Sequence, residues 1–363
     1  MIYIDASRYS LTEQKTGVEN YSVHLINELI RLAPNEITLI APTKIDLPVP
    51  QITIPFPRLW TQVRLSFEIW KNKKIDNLFV PSHVMPWISP KNTVTTIHDV
   101  AFRRLPSSYS LASRLYLDWG AKYAVKHARH IIVPSEATKK DLIDFYKADP
   151  QKITVIPLGF EPINLQIQAD ESERILGRYA LRPTNYFLFV GRIESKKNIQ
   201  TLIDAYNLLS SKSINAQLVL AGKPGVGSDE IFSKLGNPNI VVTGYVDDKT
   251  KQALMQNALA FVYPSLFEGF GIPLLEAMAA NLPIIASKIP SSWELAKDNA
   301  LFFDPQNAEE LAGLMEKVAK EEDFRRLMTQ NHTKTLEQYS WKRCAEETLN
   351  LLHPPVELKA PNI

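Results

Sequence analysis

Apolar positions along this chain fall into two alternating patterns. Short runs of four to seven β-branched or aromatic residues end in Gly, Pro, Ser or Asp, and longer stretches repeat their apolar residues every three to four positions. In the first half the runs are MIYIDA, ITLIAP, LFVPS, TVTTIHD, HIIVPS and ITVIPLG. In the second half they are YFLFVGR, QLVLAGK, IVVTGYV, LAFVYPS, PIIAS and ALFFDP. Near-continuous apolar strands alternating with amphipathic helices predict an α/β protein with two doubly wound parallel sheets, one in each half. No shorter sequence period repeats, so the architecture is duplicated rather than arrayed.

The polar stretch EPINLQIQADESERILGRYALR, 161–182, separates the two sets of strands. The expected division is a first domain over 1–165 and a second over 180–339. The segment EQYSWKRCAEETLNLL, 337–352, follows the last strand and reads as a final helix, so the C-terminal stretch from about 340 to 363 is expected to pack back on the first domain. In open α/β sheets, ligands gather at the carboxyl ends of the strands. Those ends carry Asp5, His98-Asp99 and Ser135 in the first half. In the second they carry Gly191-Arg192, Gly222-Lys223, Gly244-Tyr245 and the stretch from Ser265 to Gly271. Two such edges facing one another would enclose a cleft.

Composition narrows the class. Apolar residues make up 45% and charged residues 22%, as in a soluble globular chain of two domains. The start MIYIDASRYS has no basic region followed by a long apolar one, and no apolar run is long enough to span a bilayer. One cysteine, Cys344, cannot form an internal disulfide. A cytoplasmic location is the expectation. Residues 1–160 hold 20 Lys/Arg against 14 Asp/Glu, while the remainder holds 21 against 25. A basic first half suits an anionic partner: a phosphorylated ligand, a membrane surface or nucleic acid. No nucleic-acid motif accompanies the charge. The stretch FPRLWTQVRLSFEIWKNKK, 56–74, spaces Trp60, Val63, Phe67 and Trp70 helically among Arg58, Arg64, Lys71, Lys73 and Lys74. It reads either as a core-facing helix with a solvated basic face or as a peripheral contact with anionic lipid.

The stretch LFEGFGIPLLEAMAANLPIIAS, 266–287, carries the most chemistry. Glycines Gly269 and Gly271 allow close backbone approach to a ligand, and Pro273 suits a helix start. The amides of Leu274 and Leu275 then lie at a positive helix end, a site for anions. Glu276 either complements that dipole or binds a ligand, whereas Glu268, in a loop after a buried strand, needs a partner. Amides for a phosphate and two acids for hydroxyls together describe a nucleotide sugar. Arg192 and Lys197, after the strand ending at Gly191, are placed to clamp a diphosphate or are ordinary solvated charges. Gly17, in SRYSLTEQKTGVENYSVHL, lets backbone near a phosphate but completes no dinucleotide fingerprint. His98 ends a strand and faces either a ligand or the fold. No set of His, Asp and Glu has metal-ligand spacing.

Together these motifs resemble the retaining glycosyltransferases of family 4, across nearly the whole chain. The resemblance rests on the E-x7-E pair Glu268 and Glu276, GRIESKKN, TGVENYS, TIHDVAF, IIVPSEATKKDL and YSWKRCAEETL. It implies a GT-B fold of two Rossmann-like domains, the second taking the donor. By resemblance, Glu268 with the Gly269, Phe270 and Gly271 backbone would hold the sugar, and Glu276 the ribose. Arg192, Lys197, the Gly17 region and the Leu274 and Leu275 amides would hold the diphosphate. Gly191, Gly222 and Lys223 would complete the donor loops, with Gly244 and Tyr245 at the base and His98 near the sugar's 6-hydroxyl and the acceptor. The implied catalytic set is Glu268, Lys197, Arg192 and His98, with no cofactor and no metal. The implied reaction moves a hexose, with a lean to UDP-glucose over GDP-mannose, onto a saccharide or polyprenyl-linked acceptor. Lys197→Ala is expected to lower turnover far more than it disturbs folding. An epimerase on the same fold and an inactive nucleotide-sugar-binding subunit are the alternatives. The sequence departs from the family pattern at Thr16 and Val18, which flank Gly17 where a second glycine is usual. It departs again at Asn281, which stands where glycine precedes the proline.

Overall fold

A computed structural model describes residues 1–10, 12, 16–56, 59–162, 167–211 and 214–353. Arg58, most of the loop ahead of Thr16, residues 163–166 of the polar break and residues 354–363 lie outside the described residues. The chain forms two compact units.

Unit 1 comprises Met1–Val100, Ala112–Gly159 and the chain from Tyr339 onward. Its strands are β1 (Ile2–Asp5), β2 (Ile37–Ala41), β3 (Gln51–Thr53), β4 (Asn77–Val80), β5 (Asn92–Thr96), β6 (His130–Val133) and β7 (Ile153–Val155). They form one parallel sheet in the order β3-β2-β1-β4-β5-β6-β7. β3 is the one strand that the apolar runs do not predict: it is three residues long, follows Pro50 and lies at the sheet edge.

The helix Gly17–Leu32 begins with a capping box: the Glu19 amide donates to Thr16 Oγ1 at 3.4 Å, and the Thr16 amide to Glu19 Oε2 at 2.7 Å. The final helix, Trp341–Leu352, completes unit 1. Trp341 stacks on His24 at 4.9 Å, and Asn77 Nδ2 donates to Leu352 O at 2.8 Å. Arg129 also donates to Leu351 O. A Cβ at Gly159 would lie 2.4 Å from the Trp341 backbone, so only glycine permits this approach.

The stretch 60–71 is not a single helical stripe. A π-helical turn, Trp60–Leu65, runs into the helix Ser66–Lys71. Its wider turn shifts the inward face to Trp60, Leu65 and Ile69. Val63, Phe67 and Trp70, expected on the same face as Trp60, are exposed.

Unit 2 comprises Ala101–Leu111 and Phe160–Gln338. Its strands are β8 (Tyr186–Val190), β9 (Gln217–Ala221), β10 (Ile240–Gly244), β11 (Ala260–Tyr263), β12 (Ile284–Ser287) and β13 (Leu301–Phe303). They pair in parallel in the order β10-β9-β8-β11-β12-β13. Both faces are covered, so Phe187, Phe189, Leu218, Leu220, Phe261 and Ile285 are fully buried, which accounts for the unbroken apolar runs. The polar break is partly structured. Its helix Ala169–Gly177 is bonded into unit 2 through Ser172 Oγ, which accepts from Asn257 Nδ2 at 2.9 Å, and through Glu171, 2.5 Å from Lys249. Unit 2 therefore begins well before residue 180. In each sheet the strand order reverses once, between β1 and β4 and between β8 and β11. In such sheets ligands bind at that reversal, beyond the carboxyl ends.

Candidate functional site

In unit 2, three loops at the carboxyl edge bond to one another. Ile193 N donates to Lys223 O at 2.8 Å, Ser195 N to Val226 O at 3.0 Å, and Leu266 N to Lys196 O at 2.9 Å. The glycines make this approach possible. Gly222 has φ +155°, and a Cβ there would lie 1.8 Å from Gly191 O. Its amide donates to Gly244 O at 2.9 Å, while the Gly191 amide donates to Ala221 O at 2.9 Å. Gly191, Gly222 and Gly244 thus line one edge, and Lys223 Nζ lies 4.7 Å from the Tyr245 ring centroid.

The two acids are each held by a lysine. Lys197 Nζ donates to Glu268 Oε1 at 2.5 Å, with side chains 15% and 14% exposed. Burial pushes the Glu268 carboxyl up, but the charge and hydrogen bond of Lys197, with Ser265 and Lys196 nearby, bring it below its ordinary value. The Tyr263 and Ser265 hydroxyls lie buried beside it. Burial and the Glu268 charge hold the Tyr263 phenol well above its ordinary value, so it stays protonated. Lys197 is therefore not an unpaired cation, because one of its three donors is already committed. Arg192 extends separately, 64% exposed and 4.0 Å from Glu194.

Lys251 Nζ donates to Glu276 Oε1 at 2.8 Å and lies 3.2 Å from Asp248. Glu276 is the fifth residue of the helix Ile272–Ala279, past the first turn, so its complement to the dipole is weaker than the sequence suggests. Pro273 is the second residue of that helix, not the first. Gly271, at φ +126°, precedes the helix, and its carbonyl accepts from the Leu274 amide at 2.9 Å. That corrects the expectation for Leu274: its N–H closes the first turn and does not point to a ligand. Leu274 and Leu275 are both fully buried, and Gly269 and Phe270 are largely so. Asn281 takes the left-handed conformation at φ +53° just past the helix, which asparagine tolerates.

Gly17 is the first residue of its helix, and a Cβ there would meet nothing within 4 Å. Among the described residues, no internal contact requires glycine there. His98, after β5 in unit 1, packs edge-on against Tyr21 at 4.7 Å. Its Nε2 donates to Pro81 O at 3.3 Å, which leaves Nδ1 as the acceptor. Burial lowers its pKa against the pull of Pro81 and Asp99, so the ring is neutral. Nearby His83, which no sequence motif marks, is held at about 4 chiefly by burial. Lys251 carries no motif either. It reads as one of several charges in DDKTKQ, and its partner lies on another helix. Among the described residues, no three His, Cys, Asp or Glu are placed to hold a metal ion.

Two doubly wound parallel α/β units in one chain fit the GT-B fold of glycosyltransferases. The profile of "Glycosyltransferase Family 4" matches residues 15–162, and that of "Glycosyl transferases group 1" matches 175–335. The chain belongs to these glycosyltransferases. The O-antigen chain mannosyltransferase B of Escherichia coli is 27% identical over 265 residues, covering 72% of this chain and 70% of its own. The crystal structure of WaaG, a glycosyltransferase involved in lipopolysaccharide biosynthesis, superposes with a TM-score of 0.72 at 15% identity, over 97% of this chain and 99% of that one. Anabaena HepE in complex with UDP-glucose gives 0.71 at 16% identity, over 96% and 98%.

Proposed function

We propose that this glycosyltransferase moves a hexosyl group from a nucleotide-diphosphate sugar to a saccharide acceptor, with retention of configuration and without a metal. The observation that carries the reading is the pair of lysine-held acids, Glu268 and Glu276, at the strand reversal of unit 2. In this reading Glu268 aims the sugar, Glu276 the ribose, and Lys197 and Arg192 face the diphosphate. The acceptor hydroxyl attacks C1 from the face the diphosphate leaves. The C1–phosphate oxygen bond breaks, the C1–acceptor oxygen bond forms, and the departing phosphate oxygen takes the hydroxyl proton. The charge that builds on the leaving group is met by Lys197, held in place by Glu268, and by Arg192; the held lysine supplies electrostatic preorganisation. The name of the Escherichia coli relative favours a mannosyl donor over the UDP-glucose first expected.

A polyprenyl-linked acceptor at the inner face of a membrane fits a surface of unit 1. The helix Leu111–His127 buries Gly120, Ala121 and Ala124 and turns Leu115 and Trp119 outward. Trp87, 51% exposed, meets the Trp119 ring at 6.3 Å, and Ser66 Oγ accepts from the Ile88 amide at 3.2 Å, beside exposed Phe67 and Trp70. Trp70 and Trp119 are followed in the sequence by Lys71, Lys73 and Lys74 and by Lys122 and Lys126, a composition that suits an anionic headgroup layer. No helix among the described residues is long and apolar enough to cross a membrane.

A thermal-shift screen of UDP, GDP, ADP and their hexose conjugates tests the donor, with a selective rise expected for one base. No rise with any would overturn the reading. Consumption of the sugar only when a saccharide acceptor is added separates transfer from epimerisation and from an inactive binding subunit.

A further inference from the structure

Lys251 occupies a position that its own helix does not favour. The helix Asp248–Asn257 starts at Asp247, whose Oδ1 accepts from the Thr250 amide at 2.7 Å. Lys251 is its fourth residue, close to the positive end, where a cation is mildly unfavourable. Burial pushes its ammonium down, yet Glu276 and Asp248 together raise it above its ordinary value. Asp248 is 71% exposed and solvated, whereas Lys251 and Glu276 are 17% and 18% exposed. The pair with Glu276 is therefore the one shielded from water, and the one that decides where the ammonium lies.

The geometry of that pair is one-sided. Lys251 takes Glu276 Oε1, and Oε2 makes no hydrogen bond among the described residues. Beside the pair is a cavity of about 60 Å³, lined by Phe160, Gln252, Met255 and Gln256 as well as by Lys251 and Glu276. Two helices would be tied equally well by an ion pair that engaged both oxygens. A carboxylate clamped through one oxygen keeps the other in a set direction, ready to accept from hydroxyls. Glu268 likewise has a lysine on Oε1, from another loop.

We propose that Lys251 is a positioning residue that aims Glu276 at the ribose of the donor, so that selectivity for the ribose hydroxyls depends on it. The proposal rests on the reading that Glu276 takes the ribose. Lys251 does not touch the reacting atoms: it fixes the rotamer of Glu276. The substitution Lys251→Arg would carry the same charge to Oε1, whereas Lys251→Met fills the space without it.

The test is calorimetric titration of the full chain with UDP and GDP, then with the 2′,3′-dideoxy form of whichever binds more tightly. One charge-assisted hydrogen bond corresponds to roughly tenfold in affinity or more, so wild type is expected to prefer the ribonucleotide by at least about that factor. Lys251→Met is expected to bring the ratio to within about threefold of unity, and Lys251→Arg to restore most of it. Lys251→Gln serves if the methionine variant does not fold. Glu276→Gln isolates the ribose reading. If wild type and Glu276→Gln show the same ratio, that reading fails and the proposal with it. If Glu276→Gln loses the ratio but Lys251→Met keeps it, with only a lower melting temperature, the pair is a structural tie and the proposal alone is overturned.

Discussion

Replacing Lys197 by methionine removes one charge and leaves the other in place. Glu268 sits within 2.5 Å of the lysine at 14% exposure, so the variant keeps a shielded carboxylate without its paired cation. Breaking a buried pair in this way costs about 3–5 kcal/mol. The lower end, about 3 kcal/mol, applies here, because Lys196 still acts on the carboxylate and neither side chain is fully sealed. For a unit of this size that lowers the melting temperature by roughly 6–12 °C. The pH dependence follows from the carboxyl. In wild type its folded pKa lies below its unfolded value, so the pair's contribution is present above the unfolded pKa and is lost as pH falls through the folded one. Without Lys197, burial takes over and raises the folded pKa, so the variant's deficit shrinks as pH falls through that raised value. Thermal unfolding between pH 4 and 8 measures both. The double variant Lys197→Met/Glu268→Gln, which leaves no charge behind, is expected to recover most of the stability and none of the turnover. A single variant as stable as wild type, or a double no better than the single, would refute the argument. The ion pair also revises the expectation that losing Lys197 affects turnover far more than folding: both should fall.

Gly222→Ala brings a Cβ to 1.8 Å from Gly191 O at a positive φ and is expected to abolish soluble expression, whereas Gly17→Ala, with open space at a helix start, should leave the melting temperature within about 2 °C of wild type. His83 has a folded pKa of about 4, below its ordinary value, so the folded state loses stability as pH falls from the unfolded pKa towards 4. His83→Gln should therefore move the acid unfolding midpoint to lower pH, as read by fluorescence. Trp87→Ser/Trp119→Ser should weaken cosedimentation with vesicles containing phosphatidylglycerol several-fold without changing turnover on a soluble acceptor. Equal sedimentation of both proteins would remove that surface from the membrane reading.

The sheets were legible because buried parallel strands must be apolar on both faces, as in YFLFV and AFVY. β3 was not: three residues at an edge between proline-rich turns leave no period to detect. The outward turn of Phe67 and Trp70 was hidden because a single π-helical turn rephases everything after it, and helical spacing assumes a constant pitch. Glu268 and Glu276 stood out by their setting among glycines. Lys251 did not, since its meaning lies in a partner 25 residues away on another helix. The threonine and glutamate around Gly17 spell a capping box, a signal that the glycine between them masks.

The helix Trp341–Leu352 has a consequence for the order of synthesis. Asn77, Arg129 and Gly159 meet partners that leave the ribosome only after all of Phe160–Gln338 has been made. Domains usually mature from the amino end as they emerge. Here the first half waits with unpaired groups while the second closes, so the part of the protein made first is the last to be finished.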